Sequence, residues 1–199
     1  MTENVFGWVY KDLFKHHPRV LDTPMLTIGR KWLFADRMAA LVFGENKVLR
    51  YETHDIKSLD LYDPKADIKM DLNYPVPVEY HERFKVLMDI GTIEHIFDTA
   101  QCLENYFRML RPGGLILLHC PVKGYCDHGL HTFSTEAILS VLEANHFRIL
   151  WKQFADHDGH ACTVGKGDNV NIFVLARKMH QTVNFIPPHQ SRWRSAYTR

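Results

Sequence analysis

Residues 84–121, FKVLMDIGTIEHIFDTAQCLENYFRMLRPGGLILLHCP, carry more of the architecture than any other part of the chain. Val86, Leu87 and Met88 form an apolar run of strand character that breaks at Asp89-Ile90-Gly91. Asp98 then stands where a helix needs its cap, with Gln101 three residues on. Ala100, Leu103, Phe107 and Leu110 follow at helical spacing. Arg108 and Arg111 suit the negative end of that helix, and Pro112-Gly113-Gly114 stops it. Leu115 to Leu118, apolar throughout, follows at once. Strand, helix and buried strand in this order form one unit of a parallel α/β sheet. Ligands of such sheets bind beyond the C-terminal ends of the strands, so Asp89–His95 falls where chemistry is done.

The remaining composition sets bounds. A chain of 199 residues with 46% hydrophobic content is enough for one domain with an ordinary core. We read 1–199 as that domain, with a core over about 23–177, a helical segment at 1–18 and a tail at 178–199. A formal net charge of +1 makes no general electrostatic case for nucleic acid or an anionic membrane. No apolar run has the length of a membrane span, and the start MTENVFGWVYKDLF lacks a signal peptide's basic and apolar regions. A cytoplasmic protein is the expectation, with Cys102, Cys120, Cys126 and Cys162 as reduced thiols.

Working outward, the segment before Pro18 predicts a short amphipathic helix (Phe6, Val9, Tyr10, Leu13, Phe14) over an edge of the core. Strand one is expected at Pro24–Ile28, a helix from Trp32 to the stop at Gly44, and strand two at Lys47–Thr53. A weaker third strand spans Ala66–Met70, and Pro75 and Pro77 enforce a loop. After the fifth strand comes a polar, ring-rich loop, 122–133. Ser134 then caps a helix with Ile138, Leu139 and Leu142 inward, which Asn145 closes in the left-handed conformation. Two final strands, Phe147–Phe154 and Val170–Ala176, flank a long connection rich in Gly, Asp and His.

The segments ADIKMDL (66–72), TIEHIFD (92–98) and RMLRPGGLILLHCP (108–121) occur in an order that resembles the class I S-adenosylmethionine (SAM)-dependent methyltransferases. The similarity spans 23–177 and is greatest to the small-molecule methyltransferase-domain branch. It implies a Rossmann-like α/β fold: seven strands, mostly parallel with one antiparallel, and helices on both faces. It implies SAM as cofactor. The first loop departs from the pattern, because LTIGRKWLF (26–34) has Gly29 as its single glycine, followed by Arg30, Lys31 and Trp32.

Carried over residue by residue, the resemblance places Ile28 and Gly29 against the methionine part of the cofactor. Asp55 would accept hydrogen bonds from both ribose hydroxyls, with Glu52 as a rival. Asp71 would take the adenine amino group, and Met70 and Leu72 would flank the ring. Asp89, Ile90 and Gly91 would line the pocket beside the transferred methyl. Glu94 and His95 form a candidate base and orienting pair, since imidazole titrates near neutrality. His128 and His131, bracketing Gly129-Leu130 beyond strand five, are further proton acceptors on the substrate side. Cys120, Cys126, His128 and His131 match no standard zinc spacing, nor do His157, His160 and Cys162. Some quinone-pathway O-methyltransferases that this segment resembles hold a divalent cation on two glutamates and the histidine, but Gly91 stands here in place of the first glutamate, with Asp89 the nearest substitute, so no metal is expected.

The expected reaction is O- or N-methylation of a small-molecule or sugar-like acceptor. Two alternatives stand beside it: an inactive binding or scaffold protein of the same fold, and a nucleic-acid methyltransferase. The tail HQSRWRSAYTR, with Arg192, Arg194 and Arg199 among Trp193 and Tyr197, motivates the last. Packing on its own domain or on a second copy of the chain is the commoner fate of such a tail. A small-molecule partner, no membrane, no nucleic acid and an open question of homo-oligomerisation complete the reading.

Overall fold

The computed structural model describes residues 7–29 and 55–189. Its strands are β1 (Met25–Ile28), β2 (Ile56–Asp60), β3 (Ile68–Lys69), β4 (Phe84–Ile90), β5 (Leu110–Lys123), β6 (Phe147–Asp156) and β7 (Val170–Lys178). They form one sheet in the order β3-β2-β1-β4-β5-β7-β6. The pairs from β3 to β5 are parallel, and β7 runs antiparallel to both β5 and β6. The reversed strand therefore sits one place in from the edge, as expected. Among the described residues, no helix is long and apolar enough to cross a membrane.

The central strands are apolar on both faces because helices cover both. On one side Leu26, Leu87, Ile116, Leu118 and Val174 pack with Leu103 and Phe107 of helix α2 (Thr99–Met109) and Leu142 of α3 (Thr135–Ala144). On the other, Val9, Tyr10, Leu13 and Phe14 of α1 (Gly7–His16) pack against Met25, Val86, Met88, Leu117 and Phe173. The N-terminal helix thus lies on a face of the sheet and not over its edge. Its apolar stripe is wide enough to bury four large side chains, which an edge could not accommodate. Tyr10 also reaches His119 of β5, OH to Nδ1 at 3.0 Å, with the Phe173 ring stacked on the imidazole at 4.0 Å.

Capping follows the sequence closely. Asp98 accepts the Gln101 N–H at 2.9 Å, and Ser134 accepts that of Ala137 at 3.1 Å. Two endings differ. Helix α2 stops at Met109, and Leu110 is already extended, so the Pro-Gly-Gly turn is the irregular start of β5. A Cβ on Gly114 would lie 2.9 Å from the carbonyl oxygens of Arg111 and Lys85, so glycine is what lets the two strands approach. Lys178 serves the end of α2: its buried Nζ donates to the carbonyls of Phe107 and Leu110 at 2.6 and 2.7 Å. At the end of α3, Asn145 has φ −96° and His146 takes the left-handed turn at φ 61°. Asn145 is held instead by bonds to Val141 O and to both backbone groups of Ile186.

The strand beside β1 is one the sequence reading did not include. The expected helix from Trp32 and the expected strand Lys47–Thr53 lie outside the described residues. The strand beside β1 is Ile56–Asp60, in register from Met25 with Ile56 to Ile28 with Leu59. Asp67 helps hold it, accepting the Ser58 N–H and Oγ–H at 2.8 Å each. IKSLD carries little strand signal by composition, but it buries Ile56, Ser58 and Leu59, and that partner-dependent burial is invisible to local propensity.

Candidate active site

Strand order reverses between β1 and β4, and open α/β sheets build ligand crevices at such a point. The two strands end in parallel turns: Gly29 and Gly91 both have φ 73°. Gly29 donates to Leu59 O at 2.8 Å, Gly91 to His119 O at 2.9 Å, and the Thr92 hydroxyl to Ile28 O at 3.3 Å. Beyond these turns lies a cavity of about 250 Å³. Its walls are the ends of β1 (Ile28, Gly29), β2 (Leu59–Tyr62), the segment after β3 (Met70–Asn73), and Gly91, Thr92, His95 and Ile96 after β4.

Two acids face this space, and one of them the sequence reading missed. Asp60 closes β2, and its Oδ1 accepts the N–H groups of Tyr62 and Asp63 at 2.9 and 3.1 Å. Asp55 precedes the strand and lines a different cavity, at the opposite pole, with Lys57, Asp67 and Arg83. Because β2 runs from Ile56 to Asp60, Asp55 is at the wrong end to meet a ligand at Gly29. An acid at the C-terminal end of a parallel strand is the right signal, and the reading applied it to Asp55, which precedes β2.

Asp71 is in the wall, and its Oδ1 accepts both the N–H and the Nδ2 of Asn73 at 2.9 and 2.7 Å. Met70 and Leu72 flank it. The wall itself is pinned from below by the buried Asn105 of α2. Its Nδ2 donates to Leu72 O and Tyr74 O at 3.1 and 2.9 Å, and its Oδ1 accepts the Val76 N–H at 2.9 Å.

Asp89 and Ile90, expected to line the pocket, do not. Asp89 is fully buried and accepts the N–H groups of Thr92 and Ile93 at 2.9 and 3.0 Å and the Tyr106 hydroxyl at 2.9 Å. It straps the turn from beneath. Burial first, and the Asp89 charge second, push the phenol of Tyr106 well above its ordinary range. Ile90 points to the other face of the sheet, against the cluster that α1 covers. Gly91 does line the cavity.

Glu94 and His95 sit on a short 3₁₀ turn, Ile93–His95, and not on the first turn of α2. The Glu94 carbonyl accepts the N–H groups of Leu130 and His131 at 2.8 and 3.0 Å, which draws the loop after β5 onto this turn. A Cβ on Gly129 would stand 2.9 Å from the Glu94 carbonyl oxygen, so the approach needs glycine. The result is a triad. Oε1 of the buried Glu94 lies 4.0 Å from His95 Nε2 and 3.8 Å from His128 Nε2. The two imidazole centroids are 5.2 Å apart. His131 does not join it: its Nε2 lies 3.0 Å from Phe97 O, and its ring leans on Phe133.

The far side of the loop is anchored too. Gly124, Tyr125 and Asp127 all have positive φ, at 70°, 55° and 60°. Asn169 Oδ1 accepts the Tyr125 N–H at 2.8 Å, and Asn171 Nδ2 bonds the Tyr125 hydroxyl. The Tyr125 ring rests against His128 at 5.6 Å and His157 at 5.9 Å. Strained backbone held from two sides is usual where side chains are being aimed. In the β6–β7 connection, Asp156, Asp158 and His160 also gather their oxygen and nitrogen atoms within 4.8 Å.

No family model and no curated protein matches the sequence. Solved structures do. The chain is 16% identical to a Burkholderia thailandensis 1,6-didemethyltoxoflavin-N1-methyltransferase with bound 1,6-didemethyltoxoflavin and S-adenosylhomocysteine, at a TM-score of 0.56 over 90% of this chain and 80% of that one. A SAM-dependent methyltransferase from Mesorhizobium loti is 14% identical, at 0.54 over 84% and 96%. The [4+2]-cyclase SpnF is 16% identical, at 0.57 over 87% and 80%. Likeness at these identities shows a shared Rossmann-like sheet with methyltransferases, and it shows the fold alone.

Proposed function

We propose that the chain is a SAM-dependent methyltransferase acting on a small molecule at oxygen or nitrogen. The observation that carries this is the crevice at the strand-order reversal, with Asp60 and Asp71 in its walls and Gly29 and Gly91 at its floor. Two carboxylates at the ends of neighbouring strands suit a nucleoside, one for the ribose diol and one for the adenine edge. Met70 and Leu72 supply apolar surface for the ring. Exposed backbone at the two left-handed glycines allows the amino-acid end to approach closely. A bound sulfonium supplies an activated methyl and a good leaving group.

The protein's own task is then to position the acceptor and take its proton. His95 lines the cavity, and Glu94 beside it would steady an imidazolium. His128, on the loop after β5, lies 3.8 Å from the same Glu94 oxygen. Cytoplasmic residence belongs to the same proposal.

A second reading has support. Gly29 is the one glycine of the first loop, and a protein sharing the fold is a cyclase. The chain would then bind a ligand in the crevice without methyl transfer. Calorimetric titration with SAM and S-adenosylhomocysteine tests the first reading. Binding at about 1 µM to 1 mM is expected, the usual range for enzyme ligands. Heat indistinguishable from dilution at millimolar ligand would sink it. Binding without methyl transfer to any member of a panel of phenols, amines and N-heterocycles would favour the second.

A further inference from the structure

The geometry points to an anion site at the pole of the sheet opposite the crevice, where Arg19, Lys85, Arg111 and Arg177 take a phosphate group. These four side chains line a cavity of about 240 Å³ beside Pro112-Gly113-Gly114, against the single carboxylate of Asp22. Lys85 is the second residue of β4 and Arg177 the last but one of β7. The crevice lies beyond Ile90, at the other end of β4.

Several observations favour a ligand over a plain solvated surface. Arg148 of β6 stands directly opposite Arg177 in the antiparallel pair with β7, and like charges so placed are destabilising. Among the described residues, no acid lies within ion-pair distance of Lys85, Arg148 or Arg177. Arg19 and Arg111 are oriented and still available. Arg19 Nε donates to Asp22 Oδ2 at 3.3 Å, and Arg111 Nε to the Glu82 carbonyl at 2.9 Å. Each bond uses Nε, which leaves the terminal nitrogens of both guanidinium groups for a ligand. Gly113 keeps the mouth open: it is left-handed at φ 78°, and nothing lies within 4 Å of where a Cβ would stand. The neighbouring cavity, which shares Arg111, supplies the contrast. There Lys57 and Arg83 meet Asp55, Asp67 and Glu79, and Lys57 is paired with Asp67 at 3.5 Å. The positive charge belongs to the first cavity and not to the pole as a whole.

The donor set defines the class of ligand. Three guanidinium forks and one ammonium suit an anion of more than one charge with several acceptor oxygens. A phosphate group, free or esterified, carries about −1.5 to −2 near neutrality and offers three such oxygens, whereas a carboxylate offers one charge and two. None of the side chains lining the cavity is aromatic, so the stacking surface of a single-stranded nucleic-acid site is missing among them. A bound phosphate would tie the segment before β1 to the starts of β4 and β5 and the end of β7, and would offset the repulsion between Arg148 and Arg177. The site stands on its own residues and does not depend on SAM occupying the crevice.

The test is calorimetry and thermal unfolding of the purified chain with inorganic phosphate and with glycerol 3-phosphate, each against acetate at equal ionic strength. Both phosphates are expected to bind one to one and to raise the melting temperature, and acetate to do neither. Arg177→Gln and Lys85→Gln should each weaken phosphate binding about tenfold or more, the loss of one charge-assisted hydrogen bond. Arg177→Gln should also leave the ligand-free chain at least as stable as the wild type, because it removes the repulsion with Arg148. Arg83→Gln, in the balanced neighbouring cavity, should leave phosphate binding unchanged. Tighter binding of the ester names a phosphorylated small molecule as the ligand and tighter binding of the free anion names inorganic phosphate; both keep the site. Absence of heat and of any melting shift at millimolar phosphate overturns it, and so does an equal loss in Arg83→Gln. A single-stranded oligonucleotide that binds more tightly than either phosphate, with a salt slope of several counterions, makes the patch a nucleic-acid surface and overturns it as well. SAM titration of the same samples separates the two proposals, because a chain that binds phosphate but not SAM keeps this one and loses the other.

Discussion

Lys178 shows how much one residue can settle. It is fully buried, and its Nζ satisfies two carbonyls where α2 gives way to β5. Burial lowers its pKa from 10.5 to about 8, only partly offset by Glu82 nearby. The sign follows directly. Between about 8 and 10.5 the unfolded chain holds a proton on this lysine that the folded chain has released, so the lysine's contribution to stability rises with pH across that window. Below 8 the full cost of keeping the charge buried is present. We expect Lys178→Met to leave two buried carbonyls without a donor and to cost about 2–4 kcal/mol. The gap between wild type and variant should widen from pH 8 to pH 10 in urea denaturation. A gap that stays constant over that range would show that the ammonium stays charged throughout.

At the scale of elements, the loop between β5 and α3 does the most. Its composition was legible as a ring-rich, substrate-side loop, but its conformation was not. Which histidine meets Glu94 depends on the positive φ of Gly124, Tyr125 and Asp127, and on Asn169 just before β7 and Asn171 within it. Gly124 is the hinge of that arrangement, since a Cβ would fall 2.3 Å from Asp168 O. Gly124→Ala is therefore expected to destabilise by about 1–3 kcal/mol through backbone strain. It should also separate His128 from Glu94. The measurement is paired: acceptor methylation should fall at least tenfold, while SAM affinity should stay within about twofold. Equal losses in both would mean that the whole crevice depends on the loop.

Helix α2 is the opposite case. Its start, its cap and its buried face were all readable, because Asp98, Gln101, Leu103 and Phe107 act within a few residues of one another. Its end was misplaced by one residue because Leu110 belongs to a sheet register shared with Phe84, and that register is set across the chain.

At the scale of the whole molecule, the pole at which an acid stands decides its use. Asp55 and Asp60 are close in sequence and lie at opposite ends of β2. Asp60→Ala should weaken SAM binding at least tenfold by removing acceptors for the ribose hydroxyls, whereas Asp55→Ala should leave it unchanged. The reverse result in calorimetry would put the crevice at the other pole and refute the present assignment.

Periodicity, caps and breakers in the sequence were sufficient for the α/β class, the closing antiparallel pair and the pole where a ligand should bind. These signals are local: a helix face, a capping carboxylate or a glycine turn acts through neighbours a few residues away. Three matters needed the folded chain: the strand that pairs with β1 at Ile56–Asp60, the diversion of Asp89 to strap its own turn, and the meeting of Glu94 with His128. Each depends on contacts between segments distant in sequence. Such contacts form because burial and backbone hydrogen bonding are satisfied over the whole sheet at once, and no single segment specifies them.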